Sequence, residues 1–102
     1  MTSWLHDVAY VLGGGLLINA IPHLVAGLMG TPFRTPFSRM AGRPHSPGPV
    51  NVLWAALNLI LAWALIARVG AFDPRSAEDA LAVAAGGLLA GLHLARRSSR
   101  VD

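Results

Sequence analysis

The chain of 102 residues has no cysteine, no lysine and few charges of either sign. Without cysteine there are no disulfides, no thiolate chemistry and no Cys-ligated zinc or iron–sulfur cluster. Without lysine, all side-chain positive charge rests on eight arginines, set against five Asp and Glu. Charged residues make up 13% and apolar residues 54%, whereas an average soluble chain is about 25% charged. So short a chain cannot enclose that much apolar surface in a water-soluble core. A bilayer removes the difficulty, because lipid accepts apolar side chains on every face of a helix. The isoelectric point, about 11.2, is no sign of nucleic-acid binding, since the arginines gather at the ends of apolar runs rather than along one face. The first apolar run lacks a basic start and is longer than a signal-peptide core, so no cleavable signal is expected.

Three apolar runs are present. The first extends over about residues 8–29, with no charge between Asp7 and Arg34. The second covers about 50–67 and closes at Arg68 and Gly70; the third covers about 77–95 and closes at Arg96 and Arg97. Each approaches the ~20 residues needed to cross ~30 Å of hydrocarbon. Ser76 followed by Asp79 suggests a capping box ahead of the third. The expected fold is all-α: one membrane domain over 1–102, an integral bundle of three transmembrane helices. Arginine sets its orientation. Arg34, Arg39, Arg43, Arg96, Arg97 and Arg100 fall on one side, Arg68 and Arg75 on the other with most of the acidic residues. The Arg-rich side is therefore expected in the cytoplasm, with the N-terminus outside and the C-terminus cytoplasmic. Trp4, Tyr10, Trp63 and Phe72 then fall near the outer interface.

The loop over residues 30–49 holds five of the seven prolines, a density that argues against regular helix. Phe33 and Phe37 are expected to dip into the headgroup layer. Arg34, Arg39 and Arg43, with Arg96 and Arg97, would meet lipid phosphates there. Pro44-His-Ser-Pro47 matches a PxxP pattern, a very weak sign of partner docking.

The first run carries Gly15, Asn19, His23, Ala26 and Gly30 at spacings of three and four, hence on one helix face. Lipid offers no hydrogen bonds, so such a face turns toward other helices. Pro22 lies within this run, frees the Ile18 carbonyl and is expected to kink the helix. The second run answers with Asn51, Ala55, Asn58 and Ala62. Opposed antiparallel, Asn19, His23, Asn51 and Asn58 are expected to form one intramembrane polar cluster. The third supplies Gly87-Leu-Leu-Ala-Gly91, a GxxxG that permits close helix approach. Gly15, Gly27, Gly87 and Gly91 are the expected packing glycines.

An ionisable residue within a span is a functional candidate. His23 has three readings: a structural hydrogen bond, passage of protons or small polar solutes, or haem b ligation together with His93. The structural bond is favoured. No metal-ligand spacing of histidines, nucleotide fingerprint or assembled nucleophile is present, so neither a metal, a resident cofactor nor catalysis is expected.

Asn19-Ala-Ile-Pro-His23, Gly27, Gly30-Thr-Pro-Phe33, Thr35-Pro-Phe37, Ser46-Pro47, Asn51-Val-Leu-Trp54 and Asn58-Leu59 together resemble a set of small bacterial inner-membrane proteins with no assigned activity. The likeness spans roughly residues 13–60 and leaves the third run unmatched. It implies a bacterial origin and transfers no catalytic or binding role. The functional expectation is a non-enzymatic, multi-pass protein of the bacterial inner membrane. Its partners would be the bilayer and either copies of itself or another membrane protein. A small oligomeric channel past Asn19, His23 and Asn58, and a haem-carrying anchor using His23 and His93, are the alternatives.

Overall fold

The computed structural model describes residues 3–101, with side chains for residues 4–97; the side chain of Arg100 lies outside that range. The chain folds into α1 (Ser3–Leu28), a short α2 (Pro36–Met40), α3 (Gly48–Trp63) and α4 (Ala77–Val101). Three helices, over Trp4–Leu28, Gly48–Val69 and Ala77–Arg97, are long and apolar enough to cross a membrane, which suggests a multi-pass membrane protein. The long dimension of 44 Å compares with ~40–45 Å for a bilayer including its headgroups.

Burial runs opposite to that of a water-soluble protein. The largest fully buried side chains are Tyr10, Asn51 and Asn58, and the rest of the buried helix faces is mostly Ala and Gly with His23. Large aliphatic side chains such as Leu53, Ile60, Leu81, Leu88 and Leu89 point outward. In water this arrangement would forfeit the hydrophobic stabilisation that folding needs, about 25 cal/mol per Å² of apolar surface. In lipid nothing is forfeited, and van der Waals contact and hydrogen bonds between helices decide the packing.

Helix α1 is the centre. It packs against α3 on one side and α4 on the other, while α3 and α4 do not form a substantial contact with each other. Glycine permits both approaches. A Cβ on Gly14 would collide with the Val83 carbonyl, and one on Gly86 with the Val11 carbonyl. The α1–α4 seam is therefore backbone against backbone. On the other side, a Cβ on Gly27 would lie 2.6 Å from the Val52 side chain and 2.8 Å from the Gly48 carbonyl. Of the four expected packing glycines, Gly27 and Gly87 sit at tight contacts, whereas Gly15 and Gly91 have only ordinary clearance, at 3.6 Å. The tightest positions, Gly14 and Gly86, lie one residue away from Gly15 and Gly87. Spacing alone placed the stripe on the right helices and missed the crossing point.

Several elements depart from the sequence expectation. Helix α1 starts nearer the N-terminus than expected, at Ser3, and Pro22 lies inside it. Beyond Trp63, α3 continues as one wide π segment, Ala64–Val69, closed by Gly70 N–H donating to the Leu65 carbonyl at 2.9 Å. This segment carries Ile66 against Gly13 and Gly70 against the Tyr10 ring. Tyr10 is accordingly buried and meets Phe72 edge-on at 5.7 Å, whereas Trp4 and Trp63 are exposed. Ahead of α4, the Ser76 hydroxyl accepts from Asp79 N–H at 3.2 Å, but the Asp79 carboxylate turns to Asp73 N–H at 3.0 Å. Only half of the expected capping box forms.

The glycine seam makes a contrast that thermal unfolding in detergent can check. Gly86→Ala should force α1 and α4 apart and destabilise the bundle by about 1–3 kcal/mol. Gly91→Ala, which meets only the Ile18 side chain at 3.6 Å, should unfold within a few degrees of the parent.

Candidate functional site

The polar side chains of α1 and α3 meet in two bonded pairs. Asn19 Nδ2 donates to Asn58 Oδ1 at 3.0 Å, and His23 Nδ1 lies 2.8 Å from Asn51 Oδ1. The four residues thus form two rungs between one pair of helices, one helical turn apart along α1, rather than a single merged cluster. Asn58 Nδ2 also donates to the Trp54 carbonyl at 2.8 Å. Neither Asn19 nor His23 turns to the carbonyl that Pro22 frees; both side chains bond across to α3.

Asn51 does most to organise this end. Its Nδ2 donates to the carbonyls of Phe33, Ser46 and Pro47 at 3.0, 3.1 and 3.3 Å. Phe33 and Ser46 are themselves bridged by two backbone hydrogen bonds, of 3.1 and 2.8 Å. One side-chain amide therefore fastens both limbs of the loop to α3 while its oxygen meets α1.

The loop is more ordered than its proline count suggests. Thr35 caps α2: its hydroxyl oxygen accepts from Phe37 N–H and Ser38 N–H, and the Ser38 hydroxyl oxygen accepts from Thr35 N–H. Pro36 occupies the first turn, where a missing N–H costs nothing. Thr35 and Ser46 hydroxyls share a 2.6 Å hydrogen bond. Thr35, Ser38 and Ser46 are all buried; within the PxxP pattern Ser46 alone is buried, and Pro44, His45 and Pro47 are exposed. Phe33 packs on the His23 ring at 5.1 Å, and Phe37 meets Trp54 edge-on at 5.5 Å. Phe33 thus packs on a rung residue, whereas Phe37 stays half-exposed beside Trp54.

Beneath this folded loop lies a cleft of about 530 Å³. Asn19 and His23 of α1, Trp54 of α3, and Leu94 and Arg97 of α4 contribute to its walls. The loop adds Arg34, Arg39 and Arg43. Arg96 is exposed and does not line it. Neither does His93, also exposed, so the two histidines considered for haem do not face one cavity. The described residues contain no group of three His, Cys, Asp or Glu placed to hold a metal ion.

The cleft reaches inward only as far as the Asn19–Asn58 rung. Beyond it, residues 11–18 of α1, 59–62 of α3 and 81–92 of α4 carry no polar side chain, and the glycine seams close them together. Sequence reasoning found the rungs, because Asn and His stand out in apolar runs at helical spacing. It missed the loop's part in the site; Thr35 ahead of Pro36 and Ser38 is a capping signal that the prolines obscured. No family model, curated protein or solved structure matches this chain.

Removing the amide of Asn51 leaves the Ser46, Pro47 and Phe33 carbonyls without their side-chain donor and His23 without its partner. Asn51→Leu should therefore destabilise the fold more than Asn58→Leu, by about 1–3 kcal/mol at Asn51 against ~0.6 kcal/mol for one interhelical bond in a membrane bundle. Steric-trap or denaturant unfolding of both variants would check the order.

Proposed function

We propose that this is a non-enzymatic, multi-pass subunit of a cytoplasmic membrane, which acts by holding a ligand or partner in the cleft under its arginine loop. The observation that carries the reading is the one-sidedness of the polar space. Within the helical spans, side chains able to make hydrogen bonds gather between the loop and the Asn19–Asn58 rung, and the next stretch, residues 11–18, 59–62 and 81–92, carries none. A polar cleft that ends blindly within one chain supports binding more than conduction. The arginines at this end favour a cytoplasmic loop and C-terminus. The likeness to small bacterial inner-membrane proteins supports the bacterial inner membrane as the location.

Native mass spectrometry in mild detergent addresses the binding role. The protein is expected to retain a defined companion, whether a small molecule, a second copy or another membrane protein; a bare monodisperse monomer would overturn it. The preparation is expected to be colourless, and a Soret band would return His23 to the haem reading. In sealed liposomes, proton and solute flux should equal that of empty vesicles. Orientation can be read independently, because the parent chain has no cysteine. An impermeant maleimide added to intact cells should label Ala71→Cys at once and Ala41→Cys only after permeabilisation.

A further inference from the structure

The arginines around the cleft come from two places in the chain. Arg34, Arg39 and Arg43 belong to the loop and Arg97 to α4, and no Asp or Glu lines the cavity with them. Four arginines around one cleft with no carboxylate in its lining leave their positive charge uncompensated there, and an anion among them would compensate it. Guanidinium forks suit phosphate in particular, through paired N–H donors.

His23 gives a second, independent indication. The Asn51 Nδ2 donates to three carbonyls, and carbonyls only accept, which fixes the amide's orientation. The Oδ1 is then the atom facing His23, so the His23 Nδ1 must carry the proton of the 2.8 Å hydrogen bond. In the neutral ring Nε2 is left as a lone-pair acceptor. It has no hydrogen-bond partner among the described residues. The side chain is 6% exposed and lines the cleft. Since no fully buried side-chain nitrogen or oxygen among the described residues lacks a partner, Nε2 is open to the cleft, where a donor can reach it.

The shape supplies the third element. Since α3 and α4 do not pack together, and Trp54 of α3 and Leu94 of α4 both line the cleft, no helix contact closes it between those two residues. A soluble anion has no use for such an opening, whereas an acyl chain does. Basic pockets between membrane helices on the cytoplasmic side are established places for lipid headgroups.

We infer that the cleft binds one anionic phospholipid, with its phosphate among Arg34, Arg39, Arg43 and Arg97, a headgroup hydroxyl donating to His23 Nε2, and its chains leaving between α3 and α4. This rests on the cleft being a binding site and adds the ligand class.

Delipidated full-length protein in non-ionic detergent would be titrated, under native mass spectrometry, with dioleoyl phosphatidylglycerol. Phosphatidylcholine and phosphatidylmethanol of the same chains, and glycerol 3-phosphate, would be run beside it. One phosphatidylglycerol should be retained, at least tenfold more tightly than phosphatidylcholine. Phosphatidylmethanol keeps the charge and lacks the hydroxyls, so it should bind three- to tenfold more weakly than phosphatidylglycerol. Glycerol 3-phosphate should not be retained. The Arg39→Gln/Arg43→Gln double variant should lose tenfold or more of the affinity, while Arg75→Gln/Arg96→Gln, outside the cleft, should keep it; circular dichroism verifies that both fold. Equal retention of phosphatidylglycerol and phosphatidylcholine overturns the inference, as does equal loss in the two double variants. Binding of glycerol 3-phosphate as tight as that of the lipid would overturn the lipid and keep the cleft as a phosphate site. If a different companion co-purifies and only the Arg39/Arg43 variant sheds it, the ligand class fails and the binding role stands. If nothing is retained by any form, both fail.

Discussion

The carboxamide of Asn51 is the junction on which the Arg-rich end depends. Its nitrogen gathers carbonyls from both limbs of the excursion between α1 and α3, and its oxygen meets an imidazole on the neighbouring helix. No other described side chain hydrogen-bonds to both limbs of the loop and to α1 from α3. Neutral amides suit this task in an apolar setting, because they offer donors and acceptors together with no charge to desolvate. An aspartate of the same shape would bring oxygens to oxygens. The position of Phe33 over His23, and hence the roof of the cleft, follows from that clamp.

The same economy governs the rest of the bundle. Leu and Ile side chains lie mostly outside, so the helices have little bulk with which to hold one another apart or together. Glycine lets the backbones touch, and the approach at Gly27 brings Asn19 and His23 within reach of α3. Small residues and polar bonds therefore act jointly: were α1 and α3 held further apart by bulkier residues, the rungs would exceed hydrogen-bonding distance. The empty space between α3 and α4 exists because α1 alone ties them together.

Much of the helical framework was legible in the sequence, because charge-free runs of about twenty residues have few other uses. The polar residues were legible too, since Asn19, His23, Asn51 and Asn58 interrupt those runs at spacings of three and four. What remained hidden was relational. Whether Gly86 or Gly87 receives the neighbouring carbonyl depends on the crossing of two helices, which no single run encodes. The π turn at Ala64–Val69 is likewise a register shift made by contacts with α1. The loop was misread for a different reason: proline forbids helix interiors but favours helix starts, and Pro36 sits at a start. Phe33 turns onto His23 because the clamp holds it there, while Phe37 stays half-exposed against Trp54.

The central place of α1 also bears on how the chain is made. Of the three long helices it is synthesised before the other two, yet it holds neither seam alone. His23 must await a residue 28 positions later in the chain, and Asn19 one 39 positions later. During that interval a bilayer would surround an imidazole, an amide and two glycine-lined grooves with nothing to answer them. Biogenesis of such a bundle therefore calls for a sheltered interval, in which the nascent first span lingers beside the insertion machinery until its neighbours emerge.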